Sequence, residues 1–423
     1  MKDRMQDSSH NQLGFFPSII RLAAICYTLL LVYGTLFPFH GWLAPAGGLS
    51  ENFLIADPQS LSKTDLITNF LVYLPFGLFW GALFLRRWPI PVALAAVAFL
   101  GFLLSFCLEF VQVFLPARIS ALSDLVLNGL GAVAGGVLAN FLSGRWAWGR
   151  HLKELRREKF MQGALANIGL LTLAVWALSQ LSPLVPSIGV SNLRQGLKPL
   201  WYTLNGQTPL VPLQALGYFF STAALGAILL GVARSRRFAL VFFILGVWAV
   251  LLLKVPVLSR QLSLEALLGC AAGFLCLGLV YRVSDRSLAF MAAVLLVAAF
   301  LSESLRPGSS DAYYSLNWIP FKGHMRNLVG LAAILWSGWI FLGIGYAVRF
   351  LCPKGKQRIF MLGGGLAVFC LAFAVEWLQR SIPGRYPDMT DVAIALGAWA
   401  VAWTGMNART VRGDGGGKAL GNG

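Results

Sequence analysis

Residues 108–124 read LEFVQVFLPARISALSD, and residues 375–391 read VEWLQRSIPGRYPDMTD. In both, Gln follows Glu by three residues, Arg follows Glu by nine, and Asp follows Arg by six. The two stretches stand 267 residues apart. An apolar run of membrane-spanning length leads into each Glu, and a second follows each Asp. Pro116 and Pro383 end the first run, and Ser123 and Thr390 are suited to N-capping the second. Each stretch therefore reads as the polar joint between two membrane helices, and the joint is repeated.

Composition agrees. Of 423 residues, 57% are hydrophobic and only 12% charged, with a mean hydropathy of +0.70. Soluble domains carry about 25% charged residues, so this much apolar sequence requires lipid around it. The net charge of +17 does not point to nucleic acid. Its Lys and Arg cluster in short runs between apolar segments, as at Arg86-Arg87, Arg234–Arg237 and Lys354–Arg358, the pattern of loops retained in the cytoplasm.

Twelve spans are expected, at about 17–39, 66–85, 90–115, 122–143, 161–183, 213–233, 238–257, 262–281, 287–305, 326–348, 358–381 and 389–406. With the N-terminus inside, 23 of the 34 Lys and Arg fall on the cytoplasmic side and 11 on the other, which predicts an N-in, C-in topology. The basic run from Arg145 to Lys159 reads as an amphipathic link. The fold class is thus all-α, a polytopic membrane protein of three four-helix repeats. The repeats are expected at 1–144, 145–283 and 284–408, with a disordered tail over 409–423. In the middle repeat the motif has faded: Lys254 stands in the place of Gln, Arg260 in that of Arg and Glu265 in that of Asp. That repeat is expected to be scaffolding.

A carboxylate inside a span costs about 2.5–3.5 kcal/mol at the helix centre. Glu109 and Glu376 each share a helix face with the Gln three residues on, Gln112 and Gln379. Arg118 and Arg385 follow in the loops, and Asp124 and Asp391 open the next helices, where acidic groups favour the helix dipole. Asn128 shares a face with Asp124. Asn69, Asn317 and Asn327 add amides from the first half of each outer repeat. Two readings stand side by side. The groups fasten helices to one another, or they line an outward-facing site where Arg forks a phosphate or carboxylate and the carboxylates hold sugar hydroxyls or amines.

The six cysteines fall in apolar runs or, for Cys352, in a loop, and none has metal-ligand spacing. His40 and His324 lack paired ligands. No cofactor, nucleophile or phosphate-loop motif is present. Gly129, Gly131, Gly135 and Gly136 read as a surface for close helix approach, and Gly363–Gly365 as such a surface or a local bend.

The motif set resembles the VanZ-like family of bacterial membrane proteins. In the first repeat the resemblance rests on Asn69 with Leu74-Pro75-Phe76-Gly77, Glu109, Gln112, Pro116, Arg118, Asp124, Asn128 and Gly131. In the last it rests on Asn317, Pro320-Phe321, Asn327, Glu376, Gln379, Arg385 and Asp391, but Pro-Phe-Gly is missing after Asn327 and Ala395 stands where the first repeat has Asn128. The family takes its name from a protein linked to teicoplanin resistance, and some relatives accompany exopolysaccharide or envelope-sorting systems. The resemblance implies the bacterial inner membrane and a cell-envelope theme, with membrane lipids and an envelope glycan or lipid-linked precursor as expected partners. It implies that the first repeat carries the best site. The alternatives are an enzyme on a lipid-linked substrate, with Glu109 or Asp124 as acid or base, and a transporter.

Overall fold

A computed structural model describes residues 20–37, 39–55, 63–116, 118–321 and 328–404. Asn327, His324 and the tail over 409–423 lie outside the described residues. The apolar runs form helices: α1 (Ile20–Leu36), α3 (Lys63–Phe84), α4 (Ile90–Gln112) and α5 (Leu122–Leu142) make a first group. A middle group contains α7 (Ala164–Leu181), α9 (Pro212–Val232), α10 (Arg236–Lys254) and α11 (Leu264–Leu279). The last holds α12 (Asp285–Ser304), α13 (Leu328–Leu351), α14 (Gln357–Gln379) and α15 (Met389–Trp403). Between them lie α2 (Leu49–Asn52), α6 (Ala147–Lys159) and α8 (Val190–Leu204). Among the described residues, nine helices are long and apolar enough to cross a membrane, while α1, α11 and α15 are shorter apolar helices. Large apolar side chains such as Phe99, Leu275 and Leu366 face outward from these helices, as lipid requires. The molecule is a multi-pass helical membrane protein.

Successive helices run in opposite directions, so one end gathers the basic turns and the other the Glu–Gln–Arg–Asp joints. At the basic end the cations also hold helix ends together. The Arg145 Nη2 donates to the Leu85 carbonyl at 2.6 Å, and Arg236 pairs with Asp285 at 2.6 Å. Helix α6 is the expected basic link. Its Arg156 donates to the Met161 carbonyl, and burial, with Arg234 nearby, lowers that guanidinium's pKa.

In each group the second and fourth helices pack face to face: α3 on α5, α9 on α11, α13 on α15. Glycines permit this. A Cβ on Gly131 would lie 2.2 Å from the Phe70 carbonyl oxygen, and one on Gly135 would lie 2.0 Å from that of Leu74, so the α5 backbone rests directly on α3. Gly364 instead leaves room for the Trp399 ring, whose indole donates to the Met361 carbonyl at 3.0 Å. Between groups, α9 packs on α12 and α7 on α13, so the first helix of each packs on the second of the other. One core runs through the middle and last groups from Phe160 to Trp403. The first group has separate small cores around Phe76 and Ala93.

Two local expectations are corrected. Ser123 and Thr390 do not cap their helices: the N-caps are Ala121 and Asp388, each two residues further out. The turn before each helix is held extended by a short parallel bridge, Ile55 with Ala121 and Asn317 with Asp388, so the helical backbone begins where pairing ends. The segment after α7, left outside the expected spans, contains α8. Pro199 within it concealed the pattern, yet Val190, Leu197, Trp201 and Leu204 recur at helical spacing as an exposed apolar stripe.

Candidate functional site

Helix α4 ends at Gln112 and its Glu109 lies one turn earlier, 3% exposed. The Glu109 Oε2 accepts the Ala121 N–H at 3.1 Å, which supplies the cap that Ala121 lacks. In the last group Glu376, 2% exposed, accepts the Asp388 N–H through Oε2 at 2.8 Å. The Gln residues reach across to the first helix of their group. Gln112 Nε2 donates to the Thr35 carbonyl at 3.2 Å, and Gln379 Nε2 to that of Ser304 at 3.1 Å.

The arginines repeat this more closely still. Arg118 Nη2 donates to the carbonyls of Gly34 (3.3 Å) and Phe37 (3.4 Å) at the end of α1. Arg260 donates through Nε to Ser182 and through Nη2 to Ser179 (3.2 Å) at the end of α7. Arg385 donates through Nε to Arg306 (2.5 Å) and through Nη2 to Glu303 at the end of α12. Each guanidinium thus meets helix-end carbonyls that have no intrahelical partner, at the negative pole of the helix. Burial lowers the pKa of Arg260 and Arg385, while a guanidinium remains protonated throughout the physiological range.

The remaining predicted residues divide. Asn128 Nδ2 donates to Ser105 Oγ at 3.0 Å inside the first group. Asp124 Oδ1 accepts from Ser123 Oγ at 3.4 Å, and Asp391 Oδ1 from Ser337 Oγ at 2.7 Å. Asn69 is half-buried on the second turn of α3. Asn317 Nδ2 donates to Asp388 Oδ2 at 2.8 Å. Sequence reasoning passed over Asp388, though it receives the Asn317 amide and the Thr390 N–H (2.7 Å) together. The Pro387-Asp388 pair ahead of a helical run was its signal. Glu265 accepts the Val211 N–H at 3.0 Å, as Thr390 Oγ1 accepts that of Phe321. It does the work of the hydroxyl residue rather than of Asp.

A cavity of about 920 Å³ opens between the middle and last groups at this polar end. Gln379, Arg385 and Asp391 line it, with Asp388 and Tyr386. From the middle group come Gln180, Tyr218, Lys254 and Arg260. The middle repeat, expected to be scaffolding, therefore supplies two cations to the wall. The reason is geometric: α7 and α9 of the middle group lie against α13 and α12 of the last, so their polar ends face one another. The first-group residues Glu109, Gln112 and Arg118 do not line this cavity. No group of three or more metal-ligating side chains exists among the described residues.

Helices laid side by side and braced at one end by the same Glu, Gln and Arg positions define a multi-pass membrane protein with a polar mouth. By comparison, residues 15–143 match the family model described as VanZ/LLP1, so the chain carries a VanZ-like unit there. No curated protein and no solved structure matches the chain.

Proposed function

We propose that this protein binds a cell-envelope component, a glycan or lipid-linked precursor, at the outer face of the bacterial inner membrane. The basic loops, retained in the cytoplasm, put the polar end outside. The observation that carries the reading is the 920 Å³ cavity at that end, lined by Gln379, Arg385 and Asp391 and by cations from the middle group. Its size suits a headgroup of several sugar or phosphate units. The VanZ/LLP1 match over residues 15–143 supports the envelope theme, and glycopeptide resistance through altered handling of such a ligand follows from it.

We also propose that the chain is three copies of one four-span unit, twelve spans in all. Supporting this, Ile55 is bonded to residues 120 and 122, and Asn317 to 387 and 389, which stand 267 residues after 120 and 122. The three arginine braces agree in the same way. On this reading the first unit's polar set serves mainly to fasten helices, because its Glu, Gln and Arg are bonded to backbone. The enzyme alternative is weakened by the same bonds, since Glu109 is 3% exposed and holds the Ala121 N–H.

Native mass spectrometry of the full chain in nanodiscs of inner-membrane lipid tests the binding reading. Ala333 lines the cavity and belongs to no brace, so Ala333→Trp fills the space while leaving the bonds intact. Wild-type protein is expected to carry a lipid-linked mass that A333W loses at equal membrane abundance. The same mass on both proteins overturns the proposal.

A further inference from the structure

We propose that the cavity between the middle and last groups is an anion site, in which Lys254 holds the phosphate of its ligand. This rests on the binding reading above and names the chemistry of that site.

Lys254 is 6% exposed, at the end of α10, and its side chain lines the cavity. Its Nζ donates to Gln180 Oε1 at 3.3 Å and to the Tyr218 hydroxyl at 3.4 Å, both neutral and both long. Among the described residues the ion pairs are Arg236–Asp285 and Arg306–Glu303, so no carboxylate stands within 4 Å of Lys254. A buried ammonium without a counter-ion is costly. At the corresponding place the outer groups carry Gln112 and Gln379, whose neutral amides do the bracing. The middle group has exchanged that amide for a full positive charge, and the exchange points into the cavity.

Other donors on the same wall are unmet. The indole N–H of Trp339, 1% exposed, and the Nε of Arg306 find no acceptor among the described residues, and both residues line the cavity. Arg260, beside Lys254 in the lining, spends its guanidinium on neutral carbonyls. The acids of the cavity are already engaged. Glu303 is paired with Arg306, Asp388 with Asn317 and Thr390, and Asp391 with Ser337. An excess of unfilled donors and a lining with four cations against three carboxylates call for a ligand rich in acceptor oxygens and negatively charged. A phosphate monoester or diester fits both demands, whether it belongs to a lipid headgroup or is free.

Tryptophan fluorescence of the purified full chain reads the site directly, because Trp176, Trp336 and Trp339 line it. Three probes are titrated: a long-chain polyprenyl monophosphate, the uncharged polyprenol, and inorganic phosphate. Wild-type protein is expected to prefer the polyprenyl phosphate over the polyprenol by about tenfold or more, the scale of one charge-assisted hydrogen bond. Lys254→Gln installs the outer groups' own residue and is expected to lose that preference, while Lys254→Arg keeps most of it. Competition by inorganic phosphate supports the site with free phosphate as sufficient ligand. Tight polyprenyl phosphate binding that inorganic phosphate does not displace supports it with the lipid headgroup as the source. Equal affinity of wild type and K254Q for the polyprenyl phosphate overturns the anion assignment. If A333W nonetheless abolishes the lipid-linked mass, the binding reading survives that failure; if it does not, both fall.

Discussion

Glu376 illustrates what one residue contributes at the polar end. It is 2% exposed and receives the Asp388 N–H at 2.8 Å, while the Asp388 side chain caps α15. Removing the acceptor leaves a buried amide without a partner, which costs about 1–3 kcal/mol. Glu376→Ala is therefore expected to lower the thermal stability of the detergent-solubilised protein, and Glu376→Gln, which retains a carbonyl acceptor, to lower it less. Equal losses in the two variants would count against the bond as the cause. The motif's residue types and spacing were legible in the sequence, and so was the choice between fastening and binding. The partners were not. Arg118 finds Gly34 and Phe37, more than 80 residues back in the chain, and no local pattern announces a carbonyl. Lys254 looked like decay of a Gln for the same reason, because the wall it joins is completed by another group of helices.

At the scale of elements, the glycines on α5 set the spacing of its contact with α3. Gly135 meets backbone atoms of Leu74, Leu78 and Gly77 within 3 Å of an added Cβ, none of which can rotate away. Gly135→Ala should force the helices apart and cost on the order of 1–3 kcal/mol, as overpacking does. Gly363 on α14 meets nothing within 4 Å, so Gly363→Ala should be neutral or stabilising by up to about 1 kcal/mol through helix propensity. Fluorescence-detected size-exclusion after heating separates the two, and destabilisation by both would remove the contact as explanation. The glycine face of α5 was read correctly from sequence because small residues recur along a helix, whereas Gly363, read the same way, approaches nothing. Helix α8 was not, since Pro199 interrupts an exposed apolar stripe too short to read as a span. The caps were placed too far along the chain for a related reason: strand-like pairing with a distant segment decides where the helix starts.

The whole molecule divides unevenly. The middle and last groups share one core, whereas the first keeps its own clusters. At the polar end the first group reaches the last through the Tyr33 hydroxyl, which donates to the Pro320 carbonyl at 2.7 Å, and through Tyr33 against Phe321. Heating the protein in detergent is expected to give two unfolding steps in calorimetry, the smaller one belonging to the first group. A single transition would mean that the cores melt as one. The alternation of spans and the basic sidedness were visible in composition alone. The pairing of α9 with α12 and α7 with α13 was not, because lipid-facing and helix-facing apolar residues look alike in sequence.

In the middle group Leu251, buried at 2% exposure, stands where the outer groups have Glu109 and Glu376. In genetic terms, a joint held by several bonds tolerates the loss of one of them. Arg260 secures the end of α7 there, so that joint stands without the Glu and Gln of the outer groups. A chain built this way can take on a new specificity in the group whose joint differs most, while the other joints keep the architecture upright.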